Sequence, residues 1–180
     1  MKKFFFKSYG YFDVSNFKKI IEENNFDWDE FDFRQKKFKV HKETKTIPII
    51  FDEEFSINKY TQTKYYPLFE KEILLLQEYL NNKLEQDGKI FRAILVNLPA
   101  KSEIKKHIDK GKSLSLPRRI HIAINTNEEC FFTVGNIAKN LKEGEIWEIN
   151  NDGRRHGVAN DGDTDRIHLI ADWIQNINDN

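Results

Sequence analysis

The 180-residue chain contains one cysteine, one methionine and four prolines, too few for a disulfide framework or a proline-rich linker. Cys130 has no intrachain partner, and without a cysteine pair there is no zinc-finger ligand set, so a reducing, cytoplasmic setting is expected. Charge of one sign is also missing. Lys+Arg and Asp+Glu both number 29, giving a formal net charge of zero, a poor basis for gripping a polyanion, and no nucleic-acid partner is expected. Nowhere do about eighteen apolar residues run together, which argues against a transmembrane helix and a membrane partner. After Lys2-Lys3 the apolar run Phe4-Phe5-Phe6 is three residues long, where an export signal needs roughly seven to fifteen. With no linker, repeat or low-complexity tract, the expectation is one domain over residues 1–180.

Aromatic residues are abundant: 15 Phe, 6 Tyr and 3 Trp supply large apolar surfaces for a core. Residues 1–88 have a mixed helical and extended pattern. Asp13 to Glu23 predicts a short helix capped by Asp13 or Ser15, with Phe17, Ile20 and Ile21 on one face. Residues 38–51 suggest an extended segment. Pro67 then opens a longer amphipathic helix carrying Phe69, Ile73, Leu76, Leu80 and Leu84, with Gly88 after its end.

From residue 89 to about 175 the pattern changes to short alternating segments: Ile90 to Leu98, Arg118 to Asn125, Cys130 to Val134, Glu145 to Ile149, His156 to Asn160 and Arg166 to Trp173. Turn residues separate them. The predicted fold is mainly β with flanking α-helices, its core a jelly roll with the helices on one outer face. Alternation assigns the faces. Ile120, Ile122 and Ile124 fall on one side of their strand, opposite Arg119, His121 and Ala123. In the last strand Ile167, Leu169 and Ala171 lie opposite Arg166, His168 and Ile170. Two strands thus each bring an Arg and a His to one surface, an arrangement suited to a polar pocket between sheets.

Of the five histidines, His107 stands one residue from Asp109, so in an extended segment both side chains can reach one ion. His156, at the start of a later strand, is a candidate third ligand. Two His and a carboxylate on one face of an octahedral metal leave three positions open, which suits non-haem Fe(II) oxygenases. Arg166, ten residues beyond His156, could hold a carboxylate bidentately. His121 fits an interior hydrogen-bonded role as well as a ligand role, and His168 fits a structural one. The basic run from Lys101 to Lys112 reads as a solvated loop near the mouth.

From Arg92 to Trp173 the chain resembles the aspartyl/asparaginyl β-hydroxylase family of Fe(II)- and 2-oxoglutarate-dependent dioxygenases. The matching pieces are Leu98-Pro99 leading to His107-Ile108-Asp109, Arg119-Ile120-His121, Glu143-Gly144-Glu145-Ile146-Trp147, His156-Gly157-Val158-Ala159-Asn160, and Arg166-Ile167-His168-Leu169-Ile170-Ala171-Asp172-Trp173. Residues 32–50, with Arg34, His41 and Thr44, are similar to the upstream segment of small members. The resemblance implies a double-stranded β-helix (cupin-like) core with Fe(II) at His107, Asp109 and His156. It implies 2-oxoglutarate at Arg166, assisted by Arg119 and His121, with O2 as the second cosubstrate. The chain departs from the family's name-giving animal enzyme at Asp109, where that enzyme has glycine, so that enzyme's substrate is not carried over.

The resemblance further implies hydroxylation of an amino acid or a peptidyl side chain, Asp/Asn-like or proline-like, with release of succinate and CO2. Arg34, His41 and Thr44 are the polar substrate candidates in the N-terminal half, and Arg34 and His41 also fit a purely structural role. Two other readings remain at this level. A non-catalytic metal- and 2-oxoglutarate-binding sensor would keep the same ligands without a substrate opening. A metal-water hydrolase would need a general base that no further carboxylate evidently supplies. Oligomeric state is not legible.

Overall fold

In a computed structural model, which describes residues 3–57 and 59–176, two antiparallel sheets face each other. The larger has six strands in the order β1 (Phe6–Tyr11), β8 (Glu145–Ile149), β5 (Arg118–Asn125), β10 (Arg166–Gln175), β3 (Gly88–Leu98) and β2 (Lys45–Ile50). The smaller orders β4 (Ser102–His107), β9 (His156–Asn160), β6 (Cys130–Val134) and β7 (Ile137–Lys139). This is a jelly roll, mainly β, as the strand spacing predicts.

At the centre of the large sheet β10 pairs with β3 from Arg166↔Leu98 to Gln175↔Gly88, and with β5 on its other side. One face of these strands carries Ile120, Ile122, Ile124, Leu169, Ala171 and Trp173, all buried beneath α1 (Ser15–Glu23) and α3 (Tyr66–Leu84). Phe17 from α1 and Phe69, Leu76 and Leu80 from α3 are fully buried against it, each burial worth about 1.5–3 kcal/mol. Pro67 sits in the first turn of α3, where its missing N–H costs no helical hydrogen bond. The opposite face of the large sheet is thereby left to the small sheet.

Several elements differ from expectation. Glu85, at φ 53°, ends α3 in the left-handed conformation, and Gly88 instead opens β3. Asp13 accepts the Ser15 N–H before α1, while Val14 occupies the cap position. Residues 38–51 are not one extended run, because a 3₁₀ turn at Lys39–His41 precedes β2. The expected solvated loop at 101–112 contains β4, whose sequence Ser-Glu-Ile-Lys-Lys-His buries only Ile104, too little to show as alternation. The edge strand β1 buries only Tyr9 and escapes detection for the same reason. The short elements α2 (Phe33–Lys37), α4 (Lys112–Ser115) and β7 carry no pattern signal either. Among the described residues no helix is long and apolar enough to cross a membrane.

Candidate active site

The site begins with an irregularity between β4 and β9. Ile104 pairs with Val158 but His107 pairs with His156, so β4 uses one more residue than its partner over this stretch. The bulge sets the two rings together, their centroids 4.5 Å apart. Gly157 makes the approach possible: a Cβ there would lie 2.6 Å from the Ile104 carbonyl oxygen and 3.0 Å from the Lys106 nitrogen. Asp109, just past β4, places Oδ1 3.7 Å from His107 Nε2 and Oδ2 3.8 Å from His156 Nε2.

The donor atoms of His107, Asp109 and His156 all lie within 4.8 Å of one another. His107 Nδ1 donates to the Lys105 carbonyl at 2.8 Å and His156 Nδ1 to that of Arg154 at 3.3 Å. Those bonds leave the Nε2 lone pairs to converge on a common point with the carboxylate. Burial lowers the His156 pKa to about 4 against the pull of Asp109, so the ring is neutral at pH 7. Two imidazole nitrogens and a carboxylate are a donor set that suits a divalent transition metal.

Arg119 bridges this cluster to the sheet. It donates from Nε and Nη2 to the two carboxylate oxygens of Asp172 at 2.9 Å each, and from Nη1 to Asp109 Oδ2. Arg92 adds a 2.5 Å bond to Asp172 and another to the Ser113 carbonyl at 3.4 Å. Asp172 is the residue sequence reasoning misses here. The available signal is parity: it shares a face with Arg166, His168 and Ile170.

Behind the cluster lies a small inner cavity of about 50 Å³, lined by Arg166, His121, His156, Phe132 and Val158 among others. Arg166 is 1% exposed, and among the described residues no carboxylate pairs with it. Its Nη2 donates to His168 Nδ1 at 2.6 Å, and its guanidinium lies 5.8 Å from the Phe132 ring centroid. Burial lowers its pKa to about 10. Both ring nitrogens of His121 are buried without a partner, and burial drives its pKa well below the ordinary value. A buried cation without an anion and an imidazole without partners form a polar cradle that an anionic ligand would satisfy.

On the other side of the cluster is an outer cavity of about 380 Å³. Arg34, His41, His107, Asp109, Arg119 and Ile170 line both spaces. Arg34, from α2, donates to Thr46 Oγ1 and His41 Nε2 at 3.3 Å each. Thr44 lines neither cavity; its hydroxyl donates to the His41 carbonyl at 2.8 Å. Part of the remaining wall is aromatic, with Phe38, Phe51 and Phe55, which sequence reasoning does not single out because phenylalanine is common throughout the chain.

A family model described as Aspartyl/Asparaginyl beta-hydroxylase matches residues 7–176. The fold is similar to that of a 2OG-Fe(II) oxygenase family oxidoreductase from Burkholderia pseudomallei, at 16% identity and TM-score 0.59, covering 74% of this chain and 69% of that one. HygX from Streptomyces hygroscopicus, solved with nickel and 2-oxoglutarate bound, matches at 10% identity and TM-score 0.62, covering 96% and 84%. The viral collagen prolyl hydroxylase vCPH from Paramecium Bursaria Chlorella virus-1, solved as a 2OG complex, matches at 10% identity and TM-score 0.58, covering 95% and 96%.

Proposed function

Since the chain belongs to the aspartyl/asparaginyl β-hydroxylase family, we propose that it is an Fe(II)- and 2-oxoglutarate-dependent dioxygenase that hydroxylates an amino acid or a peptidyl side chain. The observation that carries this reading is a three-donor cluster lying beside a buried arginine, Arg166, that has no carboxylate partner among the described residues. Bound Fe(II) supplies dioxygen activation, which couples decarboxylation of 2-oxoglutarate to succinate and CO2 with transfer of the second oxygen atom into a substrate C–H bond.

The chain's own residues position the reactants. His107, Asp109 and His156 hold the metal, their orientation fixed by the Lys105 and Arg154 carbonyls and by Arg119. Arg166 anchors the far carboxylate of 2-oxoglutarate, and His121 offers a donor and an acceptor beside it. Val96, Ile104, Phe132 and Val158 keep water out of that space. Arg34 and His41, on the boundary between the cavities, hold a carboxylate of the substrate. The outer cavity supports turnover over a sensor without a substrate opening. Among the described residues no carboxylate apart from Asp109 lines either cavity, which disfavours a hydrolase.

Anaerobic addition of Fe(II) and then 2-oxoglutarate should produce a visible charge-transfer band. In air, the loaded protein should consume 2-oxoglutarate and add the mass of one oxygen to a member of an amino-acid and peptide panel. Absence of the band, with iron affinity unchanged in His107→Ala and His156→Ala, would overturn the reading.

A further inference from the structure

We infer that the outer cavity selects an N-acylated apolar amino acid with a free carboxylate, as a single acylated residue or as the carboxyl-terminal residue of a peptide. The inference rests on the reading above for which end of the cavity reacts, and it narrows the substrate from amino acids in general.

The first argument is charge. The cavity lining carries six cationic side chains, Arg34, Lys37, Lys39, Arg92, Lys110 and Arg119, against the single carboxylate of Asp109. Arg92 and Arg119 are committed to Asp172, and Arg119 to Asp109 as well. Arg34 differs from these. It is 8% exposed, no carboxylate pairs with it among the described residues, and its two hydrogen bonds go to neutral groups. A guanidinium has five N–H donors, so Arg34 retains the capacity to grip a carboxylate. Because His41 Nε2 accepts from Arg34, the proton of this ring resides on Nδ1, which has no partner.

The second argument concerns the opposite charge. The α-ammonium of a free amino acid would enter this cationic field with only Asp109 to receive it, and Asp109 is already engaged by Arg119. Acylation removes that charge and leaves the carboxylate, which is the group the cavity can satisfy.

The third argument is shape and polarity. Phe51 packs edge-on to Phe55 with centroids 5.4 Å apart, and Phe38 does the same at 5.7 Å. Phe55 adopts φ 55°, a left-handed conformation uncommon for an L-residue, and its ring lies near Arg92 and Lys37, at 5.2 and 5.0 Å. Ile94, Ile170 and Leu114 continue the apolar wall. A short acid or amide side chain would leave that surface wet, whereas an apolar side chain would bury it.

The test is calorimetric titration of the full chain loaded with Zn(II) and 2-oxoglutarate, conditions that bind without turnover. The probes are N-acetyl-L-phenylalanine, an N-acetylated tripeptide ending in phenylalanine, L-phenylalanine, N-acetyl-L-phenylalaninamide and N-acetyl-L-aspartate. Binding of either or both of the first two, about tenfold or more tighter than the last three, supports the inference, and the two separate a single residue from a peptide end. Phe55→Ala and Arg34→Gln should each weaken N-acetyl-L-phenylalanine about tenfold. Phe38→Ala replaces Phe55→Ala if that variant does not melt as a folded protein. Binding of free phenylalanine, N-acetyl-L-phenylalaninamide or N-acetyl-L-aspartate within tenfold of the first two probes overturns the inference, as does no binding of either of those first two. If the acylated probes bind while Zn(II) and 2-oxoglutarate do not, the cavity assignment stands and the dioxygenase reading falls.

Discussion

Arg119 and Asp172 face each other across β5 and β10 and are joined by two hydrogen bonds of 2.9 Å in a fork-to-carboxylate arrangement. Through the third arm of the guanidinium, a carboxylate buried in the sheet fixes the orientation of Asp109 at the surface of the cavity. Arg92, Arg119, Asp172 and Asp109 together balance charge, so a polar network persists where an unpaired ion would be costly.

Replacing Asp172 with Asn should therefore destabilise the protein by about 3–5 kcal/mol, since the buried Arg92 and the partly buried Arg119 lose their shared partner. Burial pushes the Asp172 carboxyl upward, but Arg119 and Arg92 outweigh it and hold it below its ordinary value. A carboxyl depressed by folding contributes stability that is complete above about pH 4 and disappears as the pH falls through its folded pKa. Wild type and Asp172→Asn should differ most in melting temperature near neutrality and converge on acidification. A gap that stays constant with pH would refute the linkage.

Gly157→Ala tests the bulge. The added methyl meets the backbone of β4, so the strands must separate and carry His107 away from His156. Metal affinity should fall by about tenfold or more, measured with Zn(II) and a competing chelator, while helical content by circular dichroism stays unchanged.

Arg166→Ala should abolish 2-oxoglutarate binding yet spare the metal, because the guanidinium does not touch the three donors. Titration of the metal-loaded variant with 2-oxoglutarate gives the answer. An unaltered cosubstrate affinity would shift the anchor to Arg119, another guanidinium lining the inner cavity.

Arg34→Ala and His41→Ala should uncouple the reaction. Hydroxylated product should fall by about tenfold or more, with substrate-independent consumption of 2-oxoglutarate much less affected. Equal losses in both would show that this pair supports the fold or the cosubstrate instead.

Much of the site is legible before any coordinates. In residues 118–125 and 166–173 alternation separates the helix-facing isoleucines from the pocket-facing Arg and His residues, because a half-buried strand has a period of two. His107, Asp109 and His156 stand out by residue type. The resemblance implies their convergence, but the bulge that produces it is hidden, since a polar strand with one buried apolar residue has no hydropathic signature. The aromatic wall is hidden for another reason: Phe38, Phe51 and Phe55 come from a turn, a strand end and a loop, so no periodicity links them.

The aromatic wall and Arg34 come from residues 34–55, whose only strand, β2, forms the outer edge of the large sheet, while the three donor residues and Arg166 all follow residue 100. The aromatic part of the recognition surface and the reactive residues thus come from separate stretches of the chain that meet at a boundary. An edge segment can be exchanged without re-registering any interior strand, so selectivity in this scaffold can be redesigned, or diversify by descent, while the machinery that handles oxygen is inherited intact.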